Sequence, residues 1–365
     1  MRATLIVPLA LALVGRTFAQ WANGQAAELV IGQADFASSA LGTTSQNMNI
    51  PQGIAIDIIH GKLYFADSGN NRILRFSYPL TCNGSSAELV IGQSDFISSG
   101  AGISSSKLSA PTCLSVHNGD LWVSDFLNNR VLCFRAAYLY SSNLPSAGLV
   151  LGQTTFLTNS SGTSSHEMSG PNGIAVDESG NLWVAEYGNN RVILFKNVDL
   201  ADNGADADLV LGQPGFSTSS TATSQSGMKN PGGLCARADI LFVCDALNHR
   251  VLRFDNPISK TNGALADGVL GQSDFVSGAP NQGPSPTPKA TAKTTMILES
   301  NQSSSCPLSN MIWSAATQIT SIASPQESMG AEERRIYGGS FRKVMIMKTE
   351  IKPTGKLIKK IQRHE

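Results

Sequence analysis

Four acid–arginine pairs recur along this chain with the same spacing: Asp67 and Arg72, Asp125 and Arg130, Glu186 and Arg191, Asp245 and Arg250. A carboxylate and a guanidinium across a tight turn form a charge-assisted, partly bidentate pair. The residues just before each arginine are Asn70-Asn71, Asn128-Asn129, Asn189-Asn190 and Asn248-His249, and Asn tolerates the left-handed backbone that a tight turn demands. Two kinds of chemistry are open to such a constellation. The pairs can staple turns, or Asn71, Arg72, Asn129, Arg130, Asn190, Arg191, His249 and Arg250 can present polar groups to a bound ligand. Structural residues should repeat from unit to unit and ligand residues should differ, which favours stapling.

Catalytic spacing is otherwise absent from the sequence. There is no Gly-x-Ser-x-Gly elbow, no His-Glu-x-x-His and no phosphate loop, and His166-Glu167 lacks a second His four residues on. His60, His117, His166 and His249 occupy different places in their units, so only the fold could gather them round a metal. The acidic loop from Asp202 to Asp208 lacks the calcium-hand spacing and reads as a solvated turn. The six cysteines (Cys82, Cys113, Cys133, Cys235, Cys244, Cys306) contain no Cys-x-x-Cys pair, which excludes the usual zinc and redox motifs. Cys235 and Cys244 flank one predicted hairpin. They either pair across it or remain two small buried thiols. The sequence thus assigns no catalytic residue, no metal ligand and no cofactor.

The elements that must position these residues are short strands. Gly173 to Asp177, Asn181 to Ala185 and Asn189 to Phe195 are apolar runs separated by Gly and Asn, with a fourth run at Leu209 to Gln213. The unit recurs: Pro51, Pro111, Pro171 and Pro231 precede the first strands at intervals of 60 residues, and Gly32, Gly92, Gly152, Gly212 and Gly271 mark the fourth. Four strands at a fixed period fit the blade of a β-propeller. The pattern Pro-x-Gly-Ile-Ala-Val-Asp, Leu-Trp-Val-Ala-(Asp/Glu), Asn-Asn-Arg-Val-x-x-Phe resembles the NHL repeat, over about residues 27 to 275. The strand Leu-Val-Leu-Gly-Gln-x-x-Phe is similar to that of extracellular and bacterial NHL propellers. The resemblance implies that the first strand of each blade is innermost, beginning at Gly53, Cys113, Gly173 and Gly233, and that Leu-Val-Leu-Gly is outermost. Cys113 departs from the pattern's Gly. It also implies that the Ser/Thr/Gly-rich loops lie on one face with the turns carrying the arginines. Met48, Leu108, Met168 and Met228, each three residues before a proline, are expected to be packing pegs in those loops.

The expected fold class is therefore all-β: a propeller of NHL-type four-stranded blades, four of them complete. Leu29 to Gly32 reads as an outer strand with no inner strands before it, and no fifth unit is readable after Pro288. That makes the propeller incomplete or open, with exposed end faces. The expected domains are a signal peptide over 1–19, a propeller over 20–288 and a disordered basic tail over 289–365. Arg2, the apolar run from Leu5 to Val14 and Thr17-Phe18-Ala19 make up the signal, cleaved before Gln20. The run is too short to span a bilayer. Asn83 and Asn159 head glycosylation sequons in predicted loops, and Asn301 heads a third. The formal charge of zero conceals two regions: residues 20–288 hold thirteen Lys/Arg against twenty-one Asp/Glu, and 289–365 hold twelve against six. A signal peptide and an acidic propeller argue against nucleic-acid binding. The function expected is a secreted, non-enzymatic binding or scaffold propeller for a protein, peptide or glycan. The alternative is an extracellular metal-dependent hydrolase or lyase with its site in the central channel. Secreted propellers of the NHL type include a zinc-dependent lyase and related ones calcium-dependent lactonases, but none of their site residues maps onto this chain.

Overall fold

Short apolar runs closed by Gly and Asn can satisfy their backbone only by antiparallel pairing with their neighbours. The computed structural model describes residues 24–280, together with the backbone of 346–351 and 357–362. Residues 24–280 form four sheets of four antiparallel strands, each in simple sequential order. The first holds β1 (Pro51–Asp57), β2 (Lys62–Asp67), β3 (Arg72–Ser77) and β4 (Leu89–Ile91). The second holds β5 (Pro111–His117), β6 (Asp120–Asp125), β7 (Arg130–Phe134) and β8 (Leu149–Leu151). The third holds β9 (Pro171–Val176), β10 (Leu182–Glu186), β11 (Arg191–Phe195) and β12 (Leu209–Leu211). The fourth holds β13 (Pro231–Arg237), β14 (Ile240–Asp245), β15 (Arg250–Asp255) and β16 (Gly268–Leu270). By itself, the tail expected to be disordered holds one antiparallel pair, β17 (Ile346–Ile351) with β18 (Leu357–Gln362). The signal peptide, Cys306 and the Asn301 sequon lie outside the described residues.

A four-stranded sheet has two apolar faces, and stacking buries both. Tyr64, Ala66 and Ile73 of the first sheet pack with Leu114, Val123 and Leu132 of the second. Trp122, Val131 and Cys133 then pack with Ile174, Val184 and Ile193 of the third. Trp183, Ala185 and Leu194 pack with Leu234, Val243 and Leu252 of the fourth. These are propeller blades. Each first strand bulges where its register slips past the second, between Pro51 and Ile54 in the first blade. The innermost strands press close together there: a Cβ on Gly53 would lie 2.5 Å from the Thr112 carbonyl oxygen. Cys113, which replaces that glycine in the second blade, is buried with its sulfur 3.6 Å from the Ile174 carbonyl oxygen.

The four pegs are buried. Each lies over the left-handed glycine one repeat back: Met48 over Gly32, Leu108 over Gly92, Met168 over Gly152 and Met228 over Gly212. A second device joins neighbours at the rim. The N–H of Val90 donates to Asn143 Oδ1 at 3.0 Å, and Leu144 N–H donates back to the Val90 carbonyl at 3.1 Å. Val150 is clipped in the same way by Asn203-Gly204, and Val210 by Asn262-Gly263. Val30 is clipped by Asn83-Gly84. The segment expected as an outer strand at Leu29 to Gly32 nevertheless pairs with no strand among the described residues. The clip alone ties its backbone to the first blade.

Candidate functional site

The turns between second and third strands hold the acid–arginine pairs. Arg72, Arg130 and Arg191 are wholly buried and Arg250 nearly so. Arg72 Nε donates to Asp67 Oδ2 at 2.7 Å, and its Nη1 and Nη2 donate to the carbonyls of Thr43, Phe96, Thr44 and Asn47. All five of its donors are engaged, the full capacity of a guanidinium. Arg191 repeats this with Glu186 and the carbonyls of Thr163, Phe216, Ser164 and Glu167. Arg130 pairs with Asp125 and Arg250 with Asp245, again reaching loop carbonyls. Each arginine gathers the loop that leads into its own blade and the one that leaves it. Burial pushes the Asp125 and Glu186 carboxyls upward, against the pull of Arg130 and Arg191. The acids also accept loop N–H groups, Glu186 from Ser169 and Asp125 from Ser109.

The preceding residues work between blades. Asn71, Asn129, Asn190 and His249 all have positive φ. Asn71 Oδ1 accepts the N–H of Ala110, Asn129 Oδ1 that of Gly170 and Asn190 Oδ1 that of Asn230, all at 2.8 Å. Their amides donate to the carbonyls of Ser99, Asn159 and Ser219. His249 is exposed. Gln93, Gln153, Gln213 and Gln272, one residue past the outer-strand glycine, are buried and donate into the same turns and loops. The eight residues named from sequence as a possible binding set are thus gathered on one face. Seven of them, all but His249, are committed to holding that face together.

The sequence model of the NHL repeat matches residues 168–195, the stretch from the Met168 peg through β11. The chain holds an NHL repeat within a β-propeller. The matched repeat is the third blade, and the other three copy its pairs, pegs and clips. No curated protein sequence matches the chain. Among solved structures, it is similar to a streptogramin B lyase at 14% identity, over 57% of this chain and 52% of that one, with a TM-score of 0.35. A catalytically inactive variant of virginiamycin B lyase from Staphylococcus aureus, with quinupristin, is similar at 15% identity over 56% and 52%, TM-score 0.34. The selenomethionine form of that lyase is similar at 15% identity over 62% and 56%, TM-score 0.34. The match with the streptogramin B lyase spans about half of that structure's length.

Two positions of each turn vary from blade to blade. The residue after the acid is Ser68, Phe126, Tyr187 or Ala246, and the next is Gly69, Leu127, Gly188 or Leu247. Phe126 and Tyr187 meet edge to face with ring centroids 6.4 Å apart, an arrangement aromatic pairs favour. Tyr187 is 37% exposed and the adjoining Leu127 58%, and Leu247 and Ile50 are also exposed. Asn230 bonds the Tyr187 carbonyl at 2.9 Å, which fixes the aromatic turn against the fourth blade. These residues escaped motif reasoning because they obey no motif. Their only signal is variation at a fixed place within an otherwise repeating turn.

Elsewhere the titratable side chains are dispersed. His60 lies 2.8 Å from Asp57 and stacks on Tyr138, while His166 lies 3.2 Å from Asp206. Among the described residues no three of His, Cys, Asp or Glu come together to hold a metal ion. In the acidic loop, Asn203 serves the rim clip and Asp206 bonds Ser165. Cys235 stands opposite Phe242 and Cys244 opposite Val251, and both are free thiols, as are Cys82, Cys113 and Cys133. Asn83 and Asn159 are exposed in loops. Asn83 uses its Oδ1 in the clip, which leaves the amide nitrogen as the atom a glycan would take.

Proposed function

We propose that this NHL propeller is a secreted, non-enzymatic binding module that takes a peptide or protein segment on its loop face. One observation carries the reading: a rigid, arginine-stapled face displays an aromatic and aliphatic patch of exposed Leu127 and Tyr187 beside half-buried Phe126. Large exposed apolar side chains on a pre-formed surface are what recognition sites use, since rigid aromatics bury much area at small entropic cost. The staples below keep the backbone of that patch in place, so ligand and scaffold residues are separate sets. Secretion is inferred from the leader. No helix among the described residues is long and apolar enough to cross a membrane. A glycan is the other ligand class that stacks on such rings.

A peptide array and a glycan array, probed with the secreted chain, test the reading together. Binding to peptides that Phe126→Ser and Tyr187→Ser abolish, with melting unchanged, is the expected result. Peptide binding that survives both substitutions would move the site elsewhere. Binding confined to glycans would replace the ligand class.

A further inference from the structure

Three contacts recur at each junction between blades; two lack their other half at both ends of the described propeller, and the third, the clip, lacks it at the last blade. Consider first the apolar faces. Val251 corresponds to Ile73, Val131 and Val192, and Leu270 to Ile91, Leu151 and Leu211. The six counterparts are wholly buried by the blade that follows. Val251 and Leu270, with Cys235 and Cys244, are only half-buried round Phe242. On the opposite side of the first blade, Ile54 and Phe65 are half-buried. Their counterparts Leu114, Ile174, Leu234, Val123, Val184 and Val243 are at most 1% exposed.

The polar contacts show the same gap. Val269 has the register of Val90, Val150 and Val210, yet among the described residues it meets no Asn clip. Ile50 has the left-handed φ of 52° and the place, one residue before the proline, of Ala110, Gly170 and Asn230. Among the described residues its N–H meets no counterpart of Asn71. His249 stands at that acceptor position in the last blade, and an imidazole nitrogen can accept such a bond.

We propose that these two faces join copies of this chain head to tail, the Val251 face of one copy against the Ile54 face of the next. The pairing is the one that already joins the four blades to one another three times within the chain. A second copy brings Asn83-Gly84, the clip of the first blade, to Val269. The strand Gly268–Leu270 of one copy takes the place of the unladdered Leu29 to Ile31 segment in the other. Ile50 N–H of the second copy then faces the His249 ring of the first. The contact is heterologous, so it closes into a ring or extends according to the angle between copies.

Sedimentation of the full secreted chain tests this with Ile54→Glu and Val251→Glu, each of which spoils one face only. Wild-type protein should rise with concentration to at least twice the monomer mass. Each variant alone should stay monomeric, and an equal mixture should give a dimer, because each keeps the face that the other lacks. Alkylation of Cys244 in wild-type protein should slow as concentration rises, a readout that needs no variant to fold. A wild-type chain that is monomeric throughout, or variants that fail to combine when mixed, would overturn the proposal. So would Cys244 protection that is independent of concentration, which would mean that the chain covers its own end.

Discussion

At the scale of single residues, each buried guanidinium serves one carboxylate and several loop carbonyls at once. Removing one partner of a buried pair leaves the other charged and unpaired. Arg191→Ala is therefore expected to cost about 3 kcal/mol, read from urea unfolding. Arg191→Lys should recover only part of it, because an ammonium cannot span both loops. Tyr187→Ala should shift stability by no more than about 0.5 kcal/mol, as surface substitutions do, while removing ligand binding. Melting and binding measured side by side on the two variants separate the scaffold from the site. The arginines were legible in the sequence because they repeat at constant spacing from an acid. The Phe126–Tyr187 pair was not, because its residues belong to different blades and resemble nothing else in the chain.

At the scale of the elements, the strands and their order followed from hydrophobic runs and turn residues, and the pegs from fixed placement. The rim clips did not. Asn143-Leu144 and Asn203-Gly204 read as ordinary turns, and their partners Val90 and Val150 lie 53 residues earlier, beyond any local pattern. Asn143→Ala should cost about 1 kcal/mol, the worth of a neutral hydrogen bond, and speed hydrogen exchange at Val90 specifically. A second latch links the first two blades. Glu88 Oε1 accepts from Lys62 Nζ at 2.6 Å and Arg75 Nε at 2.7 Å, while Arg75 also reaches the carbonyls of Ala137 and Tyr140. Burial works to raise the Glu88 carboxyl, but the bonds from Lys62 and Ser77 and the Arg75 charge outweigh it, and it titrates below the usual range. A depressed folded value means that the contribution is present above the ordinary carboxylate range and is lost as pH falls through the folded value. Glu88→Gln should lower melting at neutral pH and flatten its decline on acidification to about pH 3, in a range where carboxylates protonate.

For the whole molecule, the repeat sets the architecture and leaves the ends to be settled by contacts that the repeat itself defines. Four blades share one set of stapled turns, so the loop face behaves as a single stiff surface. The proposed secretion predicts a mature N-terminus at Gln20, found by N-terminal sequencing, and a mass loss at Asn83 on enzymatic deglycosylation. An intact Met1 would withdraw both expectations. The basic stretch after residue 288 was legible only as a change of composition, because a segment outside the repeat offers no register to compare with.

The rim clips also bear on the order in which the chain matures during synthesis. Val90 cannot be locked until Asn143 has left the ribosome, nor Val150 until Asn203 has. Each blade is therefore provisional until most of its successor has been made, and completion runs from the N-terminus towards the C-terminus with a lag of almost one repeat. A nascent chain always carries one unsealed rim near its growing end, and that is the point at which a chaperone would have something to hold.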